Sequence, residues 1–530
     1  MTDYLQPVTR RAVVGGALAT GGAVLLGGPA ALGATKKRPR RKIKEPFLRD
    51  GEFNLGVGSG LPGTDEITLW TRVDGVERNS RIRLEIARDP DFKKTVLRRN
   101  VRVPEIRDWT VHTRVKGGPL KPGEEYYYRF ETRKTSSEVG RFRTARPADS
   151  NEPVRIGYFS CQDYQAGYYG AHGALAEQDD LDLVVCLGDY VYEQTFYPGP
   201  DDRKDRLGKE KDGFVLTLPE WREKYRLYKA DPNLRALHAA HPFIAVWDDH
   251  EVEDNYAADK RDPAKSDDVD YDIKDRRRNG YLAFFEYMPR LRTKPVDTRI
   301  YGSARFGKTA EVFLLDQRQY RDQQACGGEL LVPCPDAETG DRTYLGAAQK
   351  QWFKDAVSES QARWKVVANQ LMIMAVDSAP GVTINVDAWD GYGAERREIL
   401  EHFRSKGVKD LTFITGDIHT FFAGTVHTNG RASTPAVGTE FVGGSITSLG
   451  FEHIITDATA REGIRQGLRV SSPHITYAEL QSRGFGVLEA RTDGLKVDYM
   501  TVDALDPKAK AKRLASFSVA PGSTEVVKTA

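Results

Sequence analysis

A chain of 530 residues is too long for one ordinary hydrophobic core, so it is expected to hold at least two domains. Its 78 Lys and Arg nearly cancel its 76 Asp and Glu, which excludes a global field able to gather nucleic acid or an anionic membrane, so a charged substrate must be captured locally. A hydrophobic content of 39% with 26 prolines fits a globular protein with long loops and excludes a disordered or membrane-embedded chain.

In chain order, Thr9-Arg10-Arg11-Ala12-Val13-Val14 is a twin-arginine sequence, and Gly15 to Ala34 is weakly apolar and rich in Gly and Ala. Residues 1–35 therefore predict a twin-arginine (Tat) export signal, with the Tat machinery as partner and a periplasmic, cell-wall or secreted destination. The competing reading is a membrane anchor, which the abundant glycine disfavours because it lowers both helicity and hydrophobicity. Tat carries folded proteins, so metals can be installed before export. Residues 36–46, which contain the basic run Lys36 to Lys42, predict a solvated linker. Four cysteines are too few for a disulfide scaffold. Cys326 and Cys334 flank a Gly/Pro-rich loop and would close a small bridge in an oxidising compartment, while Cys186, inside the apolar run Leu181 to Leu187, reads as a core thiol.

Residues 47–147 show short β-branched and aromatic runs with turn residues between them: Glu66 to Val73, Arg81 to Ile86, Thr110 to Val115, Glu125 to Thr132 and Gly140 to Thr144. Strand after strand without a helix predicts a β-sandwich. Leu120 to Phe130 resembles the corner and following strand of a fibronectin type III-like domain. After the linker Ala145 to Pro153 the rhythm changes. Across 152–505, apolar strands (Arg155 to Phe159, Leu181 to Leu187, Phe243 to Val246, Thr309 to Leu315, Trp364 to Asn369, Leu411 to Thr415) alternate with helical patterns near Gly170 to Glu177 and Leu218 to Leu227. This predicts an α/β catalytic domain with chemistry at the carboxyl ends of its strands. Residues 506–530 are set apart as a C-terminal tail.

Four strand ends carry the candidate site. Gly188-Asp189-Tyr190-Val191-Tyr192 presents a carboxylate that could bridge two cations, after a glycine that permits a sharp turn. Trp247-Asp248-Asp249-His250-Glu251, running on to Asn255, concentrates acids that would repel one another unless cations or solvent intervened. In Gly416-Asp417-Ile418-His419 the Asp and His alternate, so both can address one site. Ser160-Cys161-Gln162 adds a cysteine whose alternative role is a small core hydrophobe. Hard oxygen ligands suit magnesium, calcium or manganese, and a thiolate or phenolate beside them favours iron. Two further segments could shape the pocket. Arg318 and Arg321 suit a bidentate grip on phosphate, unless they make an ordinary salt bridge, and Trp389 in Asp387 to Tyr392 could meet substrate, unless it only packs.

From Arg155 to about Val502, these motifs in this order resemble the PhoD-type alkaline phosphatases, calcineurin-like metallophosphoesterases that include a Streptomyces-type phospholipase D. The resemblance implies an αββα sandwich fold preceded by the β-sandwich domain. It implies a ferric ion held by Cys161, Asp189, Tyr192 and Asp417, with Asp189 bridging to calcium and a second calcium nearby. Asn255, Asp249 and His419 are candidates for the remaining metal and phosphate contacts. Asp249, His250 and His419 are the candidate catalytic side chains, with His250 or His419 as the acid that protonates the leaving group. Asn369, like Arg318, Arg321 and Trp389, is assigned to substrate. Where many metallophosphoesterases carry Gly-Asn-His-Glu and a later His, this chain has Asp-Asp-His-Glu and Asn369, which argues against a two-iron or zinc–iron site.

The implied activity is hydrolysis of phosphomonoesters and phosphodiesters by in-line attack of a metal-activated hydroxide. The alternatives are a phospholipase D acting on phospholipids, which needs the same centre, and a non-catalytic metal-binding surface protein, which would show a broken ligand set. No stable nucleic-acid or transmembrane partner is implied.

Overall fold

The computed structural model describes residues 45–264, 270–292, 298–379 and 382–530; the expected signal, 1–35, and nearly all of the basic linker lie outside the described residues. The first described domain is the expected antiparallel sandwich. A sheet of Val57–Ser59, Glu66–Arg72 and Thr110–Lys116 packs on one of Thr95–Val103, Ser80–Ala87, Glu125–Glu131 and Gly140–Arg143. Alternation drives it: Tyr126, Tyr128 and Phe130 point inward against Ile82, Leu84 and Ile86, while the residues between them meet solvent. Tyr126 OH accepts the Lys121 backbone N–H at 2.9 Å, a tyrosine corner that pins the turn before its strand. Thr95–Val103 is absent from the sequence reading because Arg98, Arg99 and Asn100 are exposed and break the apolar pattern.

Two seven-stranded sheets form most of the rest, with a small three-stranded sheet of Leu330–Val332, Val382–Asn385 and Asp377–Ala379 beside them. The first runs Phe243–Ala245, Leu183–Cys186, Val154–Phe159, Gly484–Arg491, Gly494–Thr501, Lys512–Val519 and Val527–Lys528. The second runs Gly302–Phe306, Ala310–Leu314, Trp364–Asn369, Leu411–Thr415, Ala436–Val442, Phe421–His427 and Ile475–Glu479. One apolar core joins their inner faces, where Phe441 meets Phe517 and Tyr499 OH donates to the Phe422 carbonyl at 2.6 Å. Helices Gly346–Glu359 and Gly393–Ser405 cover the outer face of the second sheet through Phe353, Ile399 and Phe403, completing an αββα sandwich. The segment set apart as a tail supplies the last two strands of the first sheet: Ala515, Phe517 and Val519 alternate into the core, and a strand this rich in Lys, Arg and Ser hides that pattern.

The β-sandwich docks on the catalytic domain through Trp70, whose indole N–H donates to the Glu286 carbonyl at 2.9 Å, and through His112, paired with the Met288 carbonyl at 2.9 Å. Cys326 and Cys334 form the expected disulfide. Cys186 is a buried free thiol in the core. Among the described residues no helix is long and apolar enough to cross a membrane.

Candidate metal centre

Val154–Phe159, Leu183–Cys186 and Phe243–Ala245 are mutually parallel, so Cys161, Asp189 and Asp249 leave the sheet at the same edge. Leu411–Thr415, parallel to Trp364–Asn369 in the facing sheet, brings Asp417 and His419 to meet them. Two glycines allow the approach. A Cβ on Gly188, whose φ is +114°, would lie 2.4 Å from the Asp248 Cβ, and one on Gly416 would lie 2.5 Å from Ser160 Oγ. At the strand ends the backbone enters the left-handed region at Cys161 (φ 60°), Asp189 (55°), Asn255 (58°), Asp417 (68°) and His419 (54°). Such non-glycine conformations are costly, and here they gather on the residues the sequence nominates as ligands.

The side chains form two triplets with one shared member. Ligand atoms of Cys161, Asp189 and His419 lie within 4.8 Å of one another, as do those of Asp189, Asp249 and His250. Tyr192 OH joins the first group, 3.3 Å from Asp189 Oδ2 and 3.4 Å from His419 Nε2, and is held there by Ser448 Oγ at 2.7 Å. Asp417 sits beside it, with its carbonyl 3.8 Å from Cys161 Sγ. His419 Nδ1 pairs with the Leu449 carbonyl at 2.8 Å, which turns Nε2 toward Tyr192. His250 Nδ1 pairs with Glu193 at 2.8 Å, and its ring stacks on Tyr192 at 4.1 Å. Cys161, Asp189 and Tyr192 are buried, whereas Asp417, Ile418 and His419 are partly exposed, so the centre lies just beneath an opening.

Burial, followed by the carboxylates Asp249, Asp248 and Glu251, pushes Asp189 well above the usual carboxylate range, against the pull of His250. Burial and then Asp248 and Asp249 do the same to Asp417. Burial and then Asp189 raise both the Cys161 thiol and the Tyr192 phenol. Burial and then His250 and Arg483 press the His419 imidazole down to about 4, against the Leu449 carbonyl. Burial opposes charge on His250 too, but Glu193, Asp249 and Asp189 outweigh it and raise that imidazole well above its usual value. Asp189 Oδ1 is buried with no hydrogen-bond partner. Several acids crowd an orphaned carboxylate oxygen that the surrounding protein leaves unneutralised, and this donor set fits bound cations.

Within Asp248 to Asn255 the structure separates ligands from supports. Glu251 accepts the backbone N–H groups of Asp248, Asp189 and Tyr190 at 2.8, 3.1 and 2.7 Å, so it ties two strand ends together. Glu253 pairs with Arg261 and Arg276. Asp248 is committed to Arg318. Asp249 accepts the Asn255 N–H at 2.7 Å, and the Asn255 amide donates to Asp262 at 3.2 Å, which leaves Asn255 Oδ1 as the atom its side chain would offer.

The four residues assigned to substrate are engaged by the protein's own groups. Arg318 and Arg321 are fully buried, with guanidinium groups spent on Asp248, Asp249 and Asp387. Asn369 donates to Thr415 Oγ1 at 3.2 Å and accepts the Trp389 indole N–H at 3.1 Å, while Trp389 packs on Tyr344. All four are buried beside the strand ends, which favours a salt-bridge role for the arginines and a packing role for Trp389. The sequence reading missed Glu193, Ser448 and the Leu449 carbonyl. Glu193 follows Tyr192 directly, so adjacency was a signal; Ser448 reaches the site from a distant loop and offered none.

Two facing sheets whose strand ends carry acids and histidines are the fold of the metallophosphoesterase class to which the purple acid phosphatase PPD1 from yellow lupin seeds belongs (TM-score 0.54, 12% identity, 88% of this chain and 74% of that one). Within that class the chain belongs to the PhoD-like phosphatases: that family's profile matches residues 156–499, and its N-terminal domain profile matches 39–146. It is 33% identical to alkaline phosphatase D of Bacillus subtilis (strain 168), over 89% of this chain and 81% of that protein. It superposes on a solved structure of PhoD with a TM-score of 0.81 at 31% identity, over 92% and 93% of the two chains. The protein is thus a phosphoric ester hydrolase of the alkaline phosphatase type.

Proposed function

We propose an exported phosphomonoesterase and phosphodiesterase with a mixed iron and calcium centre. Cys161, Asp189, Tyr192, Asp417 and His419 would hold a ferric ion, and Asp189, Asp249 and Asn255 would hold calcium, with a second calcium close by. The observation that carries this reading is Asp189, common to both triplets and with one oxygen unpartnered. Thiolate and phenolate donors favour an acidic transition metal, and carboxylate and amide oxygens favour calcium. When bound, the cations would polarise the phosphoryl oxygens and supply hydroxide for in-line attack on phosphorus.

The chain's own residues divide the remaining work. His419, fixed by a neutral carbonyl, offers a free Nε2 as ligand. His250, fixed by the Glu193 carboxylate, keeps a proton on its ring and donates it to the leaving oxygen. Export by the twin-arginine route is supported by residues 9–14 and by the Cys326–Cys334 bridge, which suits an oxidising compartment.

A phospholipase D reading draws on one feature of the rim. His453 meets Tyr197 edge-on, Tyr197 meets His419, and the adjacent Ile454 is 78% exposed, so an apolar residue stands near His419. The test is elemental analysis of folded, exported protein, with activity on 4-nitrophenyl phosphate, its bis-ester and phosphatidylcholine. Iron and calcium with turnover of the first two are expected. Full activity in protein lacking either metal overturns the centre, and turnover of phosphatidylcholine alone replaces the function with the lipid reading.

A further inference from the structure

The Cys326–Cys334 bridge stands against the segment that carries Asn255, and the chemistry of the metal centre leaves it unused. Its loop begins with three consecutive left-handed residues, Cys326 (φ 51°), Gly327 (68°) and Gly328 (75°), which fold the chain back on itself. That turn seats Gly328 on Asp262: a Cβ there would lie 2.7 Å from Asp262 Oδ1. Just before the bridge, the Gln324 side-chain amide donates to the Asn255 carbonyl at 2.6 Å.

Both contacts converge on Asn255. Its amide donates to Asp262 Oδ2 at 3.2 Å and its backbone N–H to Asp249 at 2.7 Å, so Asp262 sets the rotation of the side chain and Gln324 the placement of the backbone. Asn255 is itself left-handed, a conformation that surrounding contacts must hold. The far end of the loop is fastened elsewhere. Leu330–Val332 pairs antiparallel with Val382–Asn385, and Asn385 accepts the Asp387 backbone N–H at 2.8 Å. The bridge therefore ties the turn that presses on Asp262 to the end of a strand anchored in the scaffold. Both cysteines are half-buried, and exposed Gly327, Glu329, Pro333 and Pro335 flank them, so a small thiol reaches the bond.

We infer that the bridge is a redox-dependent clamp on the calcium half of the centre: it locks Gln324 and Gly328 as positioning residues for Asn255, and tight calcium binding belongs to the oxidised protein. The inference rests on the reading of Asp189, Asp249 and Asn255 as calcium donors. When the clamp closes, the two thiols lose two protons and two electrons to a disulfide donor by thiol–disulfide exchange, one sulfur–sulfur bond forms, and the donor leaves as a dithiol. A dithiol reductant runs the same exchange backwards. Calcium is thus gripped only once the chain reaches an oxidising compartment. The iron donors Tyr192 and His419 are held instead by Ser448 and the Leu449 carbonyl, so iron binding is expected to be independent of the bridge.

The test titrates calcium by calorimetry into iron-loaded, calcium-stripped enzyme. C326S/C334S is expected to bind it about 10- to 100-fold more weakly than the parent, the scale for lost support of a metal ligand, with iron content unchanged. Gly328→Ala, which keeps the bridge but drives a methyl onto Asp262, is expected to weaken calcium in the same direction. Gly327→Ala carries the same left-handed cost with no atom within 4 Å of the new methyl, and is expected to bind like the parent. Parent-like affinity in either C326S/C334S or Gly328→Ala overturns the clamp, as does an equal weakening in Gly327→Ala. Amide hydrogen exchange over residues 254–264 in calcium-free protein separates the clamp from the calcium reading. It is expected to quicken in C326S/C334S and in dithiol-treated parent. Faster exchange with a parent that binds no calcium would leave the clamp on Asn255 standing and remove the calcium assignment. Unchanged exchange overturns the clamp whatever the calorimetry shows.

Discussion

Two acidic clusters lie side by side in this protein and meet opposite fates. Around Asp387 the charges are matched in pairs. Arg318 lies 2.8 Å from Oδ2, which like Asp189 Oδ1 makes no hydrogen bond but unlike it faces a cation. Arg321 pairs with Oδ1, Gln324 donates to it at 2.6 Å, and every member is buried. Around Asp189, acids outnumber bases, one carboxylate oxygen has no partner, and the backbone is held in left-handed conformations. Arg318 touches both clusters, through Asp387 on one side and Asp248 and Asp249 on the other. A buried ion pair that is complete is scaffolding, while a buried charge that is incomplete marks where something else binds.

Replacing Asp189 with Asn is expected to have the largest effect. It removes the one ligand common to both triplets, so both metals should be lost by elemental analysis, and kcat/KM should fall by about 10³-fold or more, the scale of removing a preorganised electrostatic partner. The metal-free variant should melt above the metal-free parent, because an unpaired buried carboxylate is gone. A variant that keeps both metals would erase the distinction between the clusters. On the matched side, Arg318→Met strands Asp248 and takes one of the two arginine partners from Asp387, and unfolding free energy should drop by about 3 to 5 kcal/mol. If instead the protein melted normally and only KM for phosphate esters rose, Arg318 would be a substrate residue after all.

Glu193→Gln probes the support of the unmatched side. It keeps the shape around His250 but removes the carboxylate at Nδ1. Activity on an alkyl phosphate, whose leaving group needs a proton, should fall about 10- to 100-fold, the range for residues that orient a catalytic imidazole. Turnover of 4-nitrophenyl phosphate, whose leaving group needs little protonation, should change far less. Equal losses on both substrates would assign His250 to metal binding and not to proton donation.

Sequence order made the unmatched cluster legible because each of its members directly follows an apolar strand. Cys161, Asp189, Asp249 and Asp417 all stand within a few residues of a strand end, and parallel pairing carries those ends to one edge. The matched cluster was illegible for the converse reason. Asp387 lies in a loop 69 residues from Arg318, so neither residue announces its partner, and an arginine after a strand looks the same whether it waits for phosphate or is already paired. Charge on the surface hid structure as well: Thr95–Val103 and Lys512–Val519 are true strands whose alternation is masked by Arg, Lys and Ser.

Trp389→Phe tests the quietest edge of the comparison, where the matched side reaches toward the chemistry. The substitution keeps the aromatic packing on Tyr344 but removes the indole N–H that donates to Asn369 Oδ1 at 3.1 Å. Asn369 keeps Gln317 as a donor to the same oxygen, so no buried acceptor is left empty. The cost should therefore be about 1 kcal/mol, that of one neutral hydrogen bond, read as a small drop in denaturant midpoint with unchanged slope. Because Asn369 also donates to Thr415, which precedes Gly416 and Asp417, any slackening would pass to the metal side through that strand end. Unchanged kcat/KM with reduced stability keeps Trp389 in the scaffold. A raised KM with unchanged stability would return it to the substrate pocket, and the line between the two clusters would then have to be drawn on the far side of Asn369.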